Sequence, residues 1–158
     1  MGKEIERKYL ISLNEKEIKE KSFKNYEILQ GYILNTKEKI VRLRITNDKS
    51  FLTIKTENIG ITRHEYEYEI PKEEAKELLL LCKEKIEKKR YLIKENNKVW
   101  EIDVFKGENI GLIIAEVELN SDKEEVLLPT WVKEEVSKKK EYYNNNLIKY
   151  PYKKWIHI

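Results

Sequence analysis

Apolar and polar residues alternate with a period of two along most of the chain. This period is typical of β-strands that bury one face, because successive side chains of a strand point to opposite sides of the sheet. We expect a mainly antiparallel arrangement of these strands. The alternation predicts eight of them, over residues 3–11, 27–35, 39–47, 50–57, 62–70, 87–95, 98–105 and 111–120.

Three other segments follow the helical period. A short helix is predicted after Asn14, a long one after Pro71 and a third near the C-terminal end. The fold class is therefore mainly β, of the α+β type, with a few amphipathic helices. The apolar face of the long helix comprises Ala75, Leu78, Leu79, Cys82 and Ile86, and that of the third comprises Trp131, Val132 and Val136.

The chain has 158 residues with five Gly, three Pro and no Ser/Gly-rich linker, which predicts a single domain over residues 1–158. No apolar run approaches the roughly 20 residues of a membrane span, and the first residues lack an apolar stretch of the secretory type. The single cysteine, Cys82, excludes an internal disulfide and is expected in the core. We therefore expect a cytoplasmic protein without a membrane partner.

The charged residues have an unusual composition. There are 27 Lys but five Arg, and 26 Glu but three Asp, and the net charge is +3. So balanced a charge disfavours a nucleic-acid partner, which would need an excess of basic residues. Because the chain uses Lys and Glu wherever a generic charge suffices, the few positions that keep Arg or Asp are candidates for function.

Charged residues of the predicted strands share one face, and their signs are segregated by strand. Like charges two residues apart on one strand lie about 7 Å from each other. An ordinary solvated sheet face is one explanation. The other is a barrel that is covered outside by the amphipathic helices and charged inside, and the segregation of signs favours it. The basic members are Lys8, Arg42, Arg44, Lys55, Arg63, Lys88 and Arg90, and the acidic members are Glu4, Glu6, Glu65, Glu67, Asp103, Glu116 and Glu118.

Other charged residues fall outside this set. Arg7 and His64 have the opposite parity and are expected to face away from the charged interior. Glu69 and Glu101 have the parity of the charged face but lie toward the ends of their strands. We therefore expect them to be solvated charges at the rim of the barrel.

The two sets of charge suit two different ligands. Arginine binds phosphate oxygens through paired N–H groups, and lysine supplies a compact positive charge. Carboxylates without a His or Cys partner form an oxygen-only site of the kind that Mg²⁺ or Mn²⁺ prefers. A metal complex of a polyphosphate would satisfy both sets, whereas ion pairing among the side chains themselves is the alternative.

Short motifs support the first interpretation. An E-x-E-x-K motif opens the first predicted strand as Glu4-Ile5-Glu6-Arg7-Lys8. It is followed in order by Gln30-Gly31-Tyr32, Val41-Arg42-Leu43-Arg44, Leu52-Thr53-Ile54-Lys55, Arg63-His64-Glu65-Tyr66-Glu67, Lys88-Lys89-Arg90, Glu101-Ile102-Asp103-Val104-Phe105 and Ala115-Glu116-Val117-Glu118. This series resembles the CYTH superfamily, also called the triphosphate tunnel metalloenzymes. The resemblance covers nearly the whole chain and implies a closed eight-stranded antiparallel tunnel that binds a triphosphate group together with a divalent metal.

The resemblance also implies roles for individual residues. Asp103 is assigned to the metal as an acid that lies behind the ligands or binds water. Arg63 joins the basic set by parity alone, with a salt bridge to a glutamate as the alternative. The residues expected to hold phosphate are Lys8, Arg42, Arg44, Lys55, Lys88 and Arg90, and those expected at the metal are Glu4, Glu6, Glu65, Glu67, Glu116 and Glu118.

Two lysines are candidates to activate the attacking water. Lys8 or Lys88, with Tyr32 nearby, can do so if neighbouring cations lower the pKa of the amine. A plain core tyrosine is the alternative for Tyr32.

The C-terminal region departs from the family pattern V-T-G-D-x-R-Y-x-N-x-x-L. Tyr142, Asn144 and Leu147 are retained, and Asn144 is a candidate substrate contact. Lys139 and Glu141 replace the acid and the arginine of that pattern. We therefore expect the tunnel to match the family more closely than the segment that closes it.

The resulting hypothesis is metal-dependent hydrolysis of inorganic tripolyphosphate to phosphate and pyrophosphate, with nucleoside triphosphates as further substrates. The same family contains class IV adenylyl cyclases and thiamine triphosphatases, so these remain alternatives. A non-catalytic polyphosphate or nucleotide sensor is an alternative of another class. The expected partner is a small-molecule triphosphate, and a homodimer through the outer barrel surface is a further hypothesis.

Overall fold

The computed structural model describes residues 2–155, which contain ten strands and three α-helices. The strands are β1 (Glu4–Ile11), β2 (Lys24–Asn35), β3 (Lys39–Ile45), β4 (Ser50–Thr56), β5 (Thr62–Arg63), β6 (Glu65–Ile70), β7 (Lys85–Glu95), β8 (Lys98–Phe105), β9 (Ile113–Glu118) and β10 (Val132–Glu135). The helices are α1 (Glu15–Lys21), α2 (Lys72–Leu79) and α3 (Asn144–Leu147). None of these three helices is long and apolar enough to cross a membrane.

The strands form one antiparallel sheet that closes into a barrel. Neighbouring strands follow the order β10, β1, β9, β8, β7, β2, β3, β4, β6. The short strand β5 pairs with β1, with Glu4 opposite Arg63 and Ile5 opposite Thr62. Because only His64 separates β5 from β6, this contact joins β4 back to β1 and nearly closes the ring. The predicted antiparallel barrel is confirmed, but it is nearly rather than fully closed and has nine strands rather than eight, because the strand predicted at 62–70 is divided into β5 and β6.

A tight turn explains the register of the hairpin that joins β7 to β8. Its two loop residues, Asn96 and Asn97, have φ angles of 55° and 63°. Asparagine tolerates this left-handed region better than most residues with a side chain, and two such residues form a turn whose twist matches that of paired strands. The hairpin sets Arg90 directly opposite Asp103.

The third predicted helix is wrong. Residues 132–135 form the strand β10, which pairs with β1 through Tyr9 opposite Glu135 and Ile11 opposite Val132. The flanking Trp131 is buried. The apolar residues of this segment fit a helical period, but hydrogen bonding to the free edge of β1 favours the extended form of so short a segment.

The first two predicted helices are confirmed, and the second is shorter than predicted. α1 begins after Asn14, whose side chain accepts a hydrogen bond from the Glu17 N–H at 2.9 Å in a capping box. α2 ends at Leu79. Cys82 is buried beyond the helix, and Ile86 belongs to β7. Cys82 thus packs with Leu79 of α2 without belonging to the helix, whereas Ile86 packs with Phe105 and Ile114 instead.

Two apolar clusters lie between the barrel and the helices outside it. One packs Ile18 of α1 against the outer face of β1, β7, β8 and β9, where Trp100 is fully buried. The other packs Leu79 of α2 and Cys82 against Leu43 of β3. These clusters bury much of the outer apolar face of the barrel, so the charged face is left for the interior.

A third cluster fills one end of the barrel. Ile86, Phe105 and Ile114 have the inward parity of their strands, and Leu147 and Ile148 pack against them. Leu147 ends α3, a single turn of helix that the sequence pattern does not predict. The interior is therefore apolar at this end and charged beyond it.

Candidate active site

A cavity of about 250 Å³ lies inside the barrel. Nine of the strands, β1 to β9, contribute side chains to it, together with the start of α3. Every residue of the predicted site lines this cavity except Asp103. The lining residues are Glu4, Glu6, Lys8, Tyr32, Ile40, Arg42, Arg44, Lys55, Arg63, Glu65, Glu67, Lys88, Arg90, Glu101, Glu116, Glu118, Tyr143, Asn144 and Asn145.

The strand register explains why these side chains meet. Directly opposed residues of an antiparallel pair point to the same face of the sheet. Lys8 is opposed to Glu116, and Glu6 to Glu118, across β1 and β9. Because pairing aligns the inward-facing residues of adjacent strands, the charged side chains of each strand point into the same interior. Arg7 points outward instead, where its Nη2 donates to the Asp122 carbonyl at 3.1 Å.

Lys8 lies between two carboxyl groups that line the cavity, those of Glu6 and Glu116. Its Nζ is 3.1 Å from Glu116 Oε1 and 3.4 Å from Glu6 Oε1. Burial and the neighbouring Glu116 raise the pKa of Glu6 to about 8, so Glu6 is protonated at neutral pH. Burial opposes ionisation of Glu116, but Lys8 and a hydrogen bond from Glu6 hold its pKa well below the ordinary value. Despite burial, the two carboxyl groups raise the pKa of Lys8, which therefore stays charged.

Glu4 and Glu65 repeat this arrangement on neighbouring strands. Lys55 Nζ lies 3.2 Å from Glu4 Oε1 and 3.2 Å from Glu65 Oε2. Against the effect of burial, Lys55, a hydrogen bond from Glu65 and Arg63 lower the pKa of Glu4 to about 2. Burial raises the pKa of Glu65. Arg63 Nε lies 3.6 Å from Glu4, so this arginine both lines the cavity and makes the salt bridge considered as its alternative.

These carboxyl groups have the chemistry of a site for a hard divalent cation. They are oxygen donors without a His or Cys partner, and burial raises the pKa of two of them, Glu6 and Glu65. Within residues 2–155, no three acidic, His or Cys side chains already converge on one point. A cation bound here would supply positive charge between these carboxyl groups.

Two cavity arginines, Arg42 and Arg44, are incompletely compensated. Arg42 Nη2 lies 3.7 Å from Glu67 Oε2, and Arg44 makes no salt bridge within residues 2–155. Arg42 Nε is buried and has no hydrogen-bond partner among residues 2–155. Burial and the neighbouring Arg42 and Arg90 lower the pKa of Arg44 to about 10. Buried donors without acceptors and buried cations beside like charges are both unfavourable. An anion with several oxygen atoms in the cavity would satisfy them.

The structure places Asp103 behind the cavity wall. Arg90 donates to it from Nε at 2.7 Å and from Nη2 at 2.9 Å, and Lys88 Nζ donates to it at 2.7 Å. Asp103 is fully buried, and these two cations outweigh burial and lower its pKa to about 2. Both of its oxygens are bound by basic side chains, which agrees with an acid that lies behind the cavity wall and disfavours direct contact with a cation.

The pKa of the Lys88 amine is shifted in the opposite direction from that of Lys8. Burial lowers the pKa of Lys88 to about 7, against the effect of Asp103 and with that of Arg90. Burial raises the pKa of Tyr32, so its phenol stays neutral. Of the three residues predicted to activate water, only Lys88 has a pKa near neutrality. Tyr32 also packs against the apolar cluster at the end of the barrel, as its alternative required.

Some cavity residues are missed by the sequence pattern. Glu101 lines the cavity and accepts from Arg90 Nη1 at 3.1 Å, although we expected a solvated rim charge. The sequence signal for its inward direction was its position on the charged face of the predicted strand. Glu69 is exposed, as expected. Tyr143 and Asn145 reach the cavity from a C-terminal segment that has no strand alternation to predict their direction.

Comparisons with known proteins agree with this geometry. The sequence model of the CYTH domain matches residues 2–150. The chain belongs to the CYTH family. Over 155 residues it is 46% identical to the inorganic triphosphatase of Acetivibrio thermocellus, a match that covers 97% of each chain.

Solved structures show the same fold as this CYTH chain. The inorganic triphosphatase NE1496 superposes with a TM-score of 0.65 at 30% identity, over 92% of this chain and 93% of that one. A putative adenylyl cyclase from Hippeastrum, described as having a dominant triphosphatase activity, superposes with a TM-score of 0.59 over 75% and 80% of the two chains. At 15% identity the second match shows the fold alone.

The closing segment of this CYTH chain is held by contacts of its own. Lys139 forms an ion pair with Glu134. Tyr143 donates to the Ser137 carbonyl at 2.8 Å, and Ser137 Oγ accepts from the Lys8 N–H at 2.9 Å. The segment is thus hydrogen-bonded to the backbone of β1 at Lys8. The acid and the arginine of the family pattern take no part in this contact.

Proposed function

We propose that this protein hydrolyses inorganic tripolyphosphate to phosphate and pyrophosphate, with Mg²⁺ or Mn²⁺ as the cofactor. The observation that carries the proposal is the division of one cavity between buried basic side chains, of which Arg44 makes no salt bridge within residues 2–155, and a cluster of carboxyl groups without a His or Cys partner. The relative from Acetivibrio thermocellus, an inorganic triphosphatase, supports the same reaction. Nucleoside triphosphates, which present the same terminal phosphates, are proposed as further substrates.

The basic residues would bind the phosphate oxygens. Arg42, Arg44 and Arg90 present planar N–H groups toward the cavity, and this geometry matches the paired oxygens of a phosphoryl group. Phosphoryl transfer needs little covalent help from the protein, so positioning and charge stabilisation supply most of the catalysis. In this scheme the arginines stabilise the charge that develops on the leaving pyrophosphate.

The acidic residues would bind the cation. Glu4, Glu6, Glu65, Glu116 and Glu118 are the cavity carboxyl groups we assign to it, with Glu67 beside them. When bound, the cation would polarise a phosphoryl oxygen and neutralise charge on the substrate. Positive charge at this position would favour the ionised form of Glu6, whose pKa is raised to about 8 by burial and by Glu116.

We propose Lys88 as the group that accepts the proton of the attacking water. Its neutral amine would donate one N–H to Asp103 and one to Asn144, at the observed distances of 2.7 and 2.9 Å. The lone pair then remains for a water molecule in the cavity. The water oxygen forms the new bond to phosphorus, its proton passes to Lys88 Nζ, and the bridging oxygen leaves with pyrophosphate.

One set of assays tests the reaction. Purified protein is incubated with tripolyphosphate, ATP or thiamine triphosphate, each with and without Mg²⁺ or Mn²⁺, and phosphate and cyclic AMP are measured. We expect cation-dependent release of phosphate, fastest from tripolyphosphate. Cyclic AMP without phosphate release would overturn the proposal in favour of a cyclase, and tight binding without turnover would favour the sensor.

We also propose a cytoplasmic location and a homodimer. The free thiol of Cys82 is buried and suits a reducing compartment. The outer barrel surface exposes Tyr66 and Tyr68 on β6, which are large apolar groups of the kind that subunit contacts bury. Analytical ultracentrifugation tests the dimer, and a monomer at micromolar concentration would contradict it.

A further inference from the structure

Gln30 is the single glutamine of the chain, against 26 glutamates. It lies on β2, opposite Arg44 of β3 on one side and Ile86 of β7 on the other. Its side chain is fully buried and does not belong to the cavity lining. A composition so rich in Glu makes a buried amide at this position notable, because Glu has the same shape and differs in charge.

Every hydrogen-bonding group of the Gln30 amide has a partner. Oε1 accepts from Arg44 Nε at 3.0 Å. Nε2 donates to Tyr32 Oη at 3.2 Å and to Asn144 Oδ1 at 3.2 Å. Gln30 therefore connects a cavity arginine on β3 to the first residue of α3.

The orientation of this amide follows from its partners. Arg44 Nε is a donor, so it needs the oxygen of Gln30. Lys88 Nζ donates to Asn144 Oδ1 at 2.9 Å, which turns that oxygen toward both Lys88 and the Gln30 Nε2 group. A reversed amide would set donor against donor at Arg44 and acceptor against acceptor at Asn144.

We infer that Gln30 is a positioning residue, which aims Arg44 at the substrate and holds Asn144 against Lys88 through one neutral amide. The inference rests on the proposed triphosphatase function. Because Gln30 occupies Arg44 Nε, the two terminal nitrogens of the guanidinium are left for phosphate oxygens. Its neutrality keeps the full charge of Arg44 available to the substrate.

A glutamate at this position would lack both properties. Its carboxylate would pair with Arg44 and neutralise the charge that attracts phosphate. It would also have no hydrogen for Tyr32 Oη or Asn144 Oδ1. An apolar residue of similar size would leave buried donors and acceptors unpaired, at a cost of about 1–3 kcal/mol each.

The main test is the nearly isosteric substitution Gln30→Glu. We expect KM for tripolyphosphate to rise by about tenfold to a hundredfold, the equivalent of one charge-assisted hydrogen bond. The ratio of variant to wild-type KM should fall as the pH is lowered, because a protonated carboxyl group regains neutrality. A residue that only fills space would not produce this pH-dependent ratio.

Asn25→Asp is the matched control. Asn25 lies on the same strand, is exposed and is opposed to Tyr91 outside the cavity. The substitution makes the same change from amide to carboxylate, and it should leave KM and its pH dependence as in the wild type.

A double-mutant cycle tests the connection to α3. Gln30→Met and Asn144→Ala each remove one side of the same hydrogen bond, so their combined effect on kcat/KM should be smaller than the product of the single effects. Multiplicative effects, or a Gln30→Glu variant with wild-type KM at every pH, would overturn the inference. Circular dichroism and thermal melting establish that each variant is folded.

The wild-type assay separates this inference from the proposed function. If the wild type releases no phosphate, the triphosphatase proposal fails. The Gln30 variants are then compared by calorimetric titration with tripolyphosphate, where an unchanged Kd in Gln30→Glu would overturn the positioning role.

Discussion

Arg90 and Asp103 form a two-point ion pair inside the barrel, with Nε 2.7 Å from Oδ1 and Nη2 2.9 Å from Oδ2. Asp103 is fully buried and Arg90 nearly so. The pair places one acidic residue of the predicted metal set against the basic side chains of Arg90 and Lys88. Its function is therefore expected to be exerted through Arg90 and Lys88.

Asp103→Asn should reduce both stability and turnover. The substitution leaves two buried cations without their carboxylate, and breaking a buried ion pair in this way costs about 3–5 kcal/mol. The concentration of Mg²⁺ needed for half-maximal activity should stay within about twofold of wild type, because Asp103 lies outside the cavity. Urea denaturation and Mg²⁺ titration of activity measure the two effects, and a large shift in the Mg²⁺ requirement would restore Asp103 to the metal set.

Glu116→Gln should raise the Mg²⁺ requirement. Glu116 is an ionised cavity carboxylate and its loss removes a proposed ligand, so we expect an increase of at least about tenfold. The control is Glu69→Gln, since Glu69 is exposed and lies outside the cavity lining. Activity is measured as phosphate release against Mg²⁺ concentration. An unchanged requirement in Glu116→Gln would contradict the assignment of this wall to the cation.

The pH dependence of turnover should reflect Lys88. Its pKa is lowered to about 7, so the amine is charged below that pH and neutral above it. A proton acceptor must be neutral, and kcat/KM for tripolyphosphate should therefore rise as the pH increases through 7. In Lys88→Arg the guanidinium stays charged, the rise should disappear, and kcat should fall by about 10²–10⁴-fold. A variant that keeps the wild-type profile would exclude Lys88 as the acceptor.

Arg44→Ala should abolish turnover without unfolding the protein. Arg44 is a buried cation whose pKa is lowered to about 10 by burial and by its cationic neighbours, so its removal relieves repulsion. We expect a folded protein with a melting temperature close to that of wild type, because the relief of repulsion offsets the loss of the hydrogen bond to Gln30, together with loss of phosphate release. Arg7→Lys is the matched control, because Arg7 points away from the cavity. Substantial activity in Arg44→Ala, or a large loss in Arg7→Lys, would undermine the inward parity.

Gly31→Ala should destabilise the contact between β2 and the chain after α2. A Cβ on Gly31 would lie 2.8 Å from Cys82 Cβ and 2.9 Å from Cys82 Sγ. Such overpacking costs about 1–3 kcal/mol. Guanidinium denaturation measures it, and an unchanged midpoint would show that the segment around Cys82 moves aside freely.

Much of the barrel could be predicted because strand parity is a local property. The direction of a side chain follows from its neighbours two residues away, and this sufficed to bring Lys8, Arg42 and Glu116 to one interior. β10 could not be predicted in this way. Its short apolar segment suits a helix or a strand, and the free edge of β1, more than 100 residues earlier, decides between them.

The candidate site, too, could be predicted only as far as strand parity reaches. Alternation and the few arginines predicted which charges face inward, but parity cannot tell a residue on the cavity surface from one held behind it. Asp103 and Glu101 have equal parity, and only the contacts of Arg90 separate their positions.

By itself, the sequence determined the barrel, its charged interior and the membership of nearly all the cavity wall, because alternation acts over a few residues. The tertiary structure alone decided which carboxyl groups contact Lys8 and Lys55, why Lys88 and not Lys8 has a pKa near neutrality, and how Gln30 joins Arg44 to Asn144. These properties depend on burial and on distances between strands far apart along the chain, and neither is encoded in the period of any one segment.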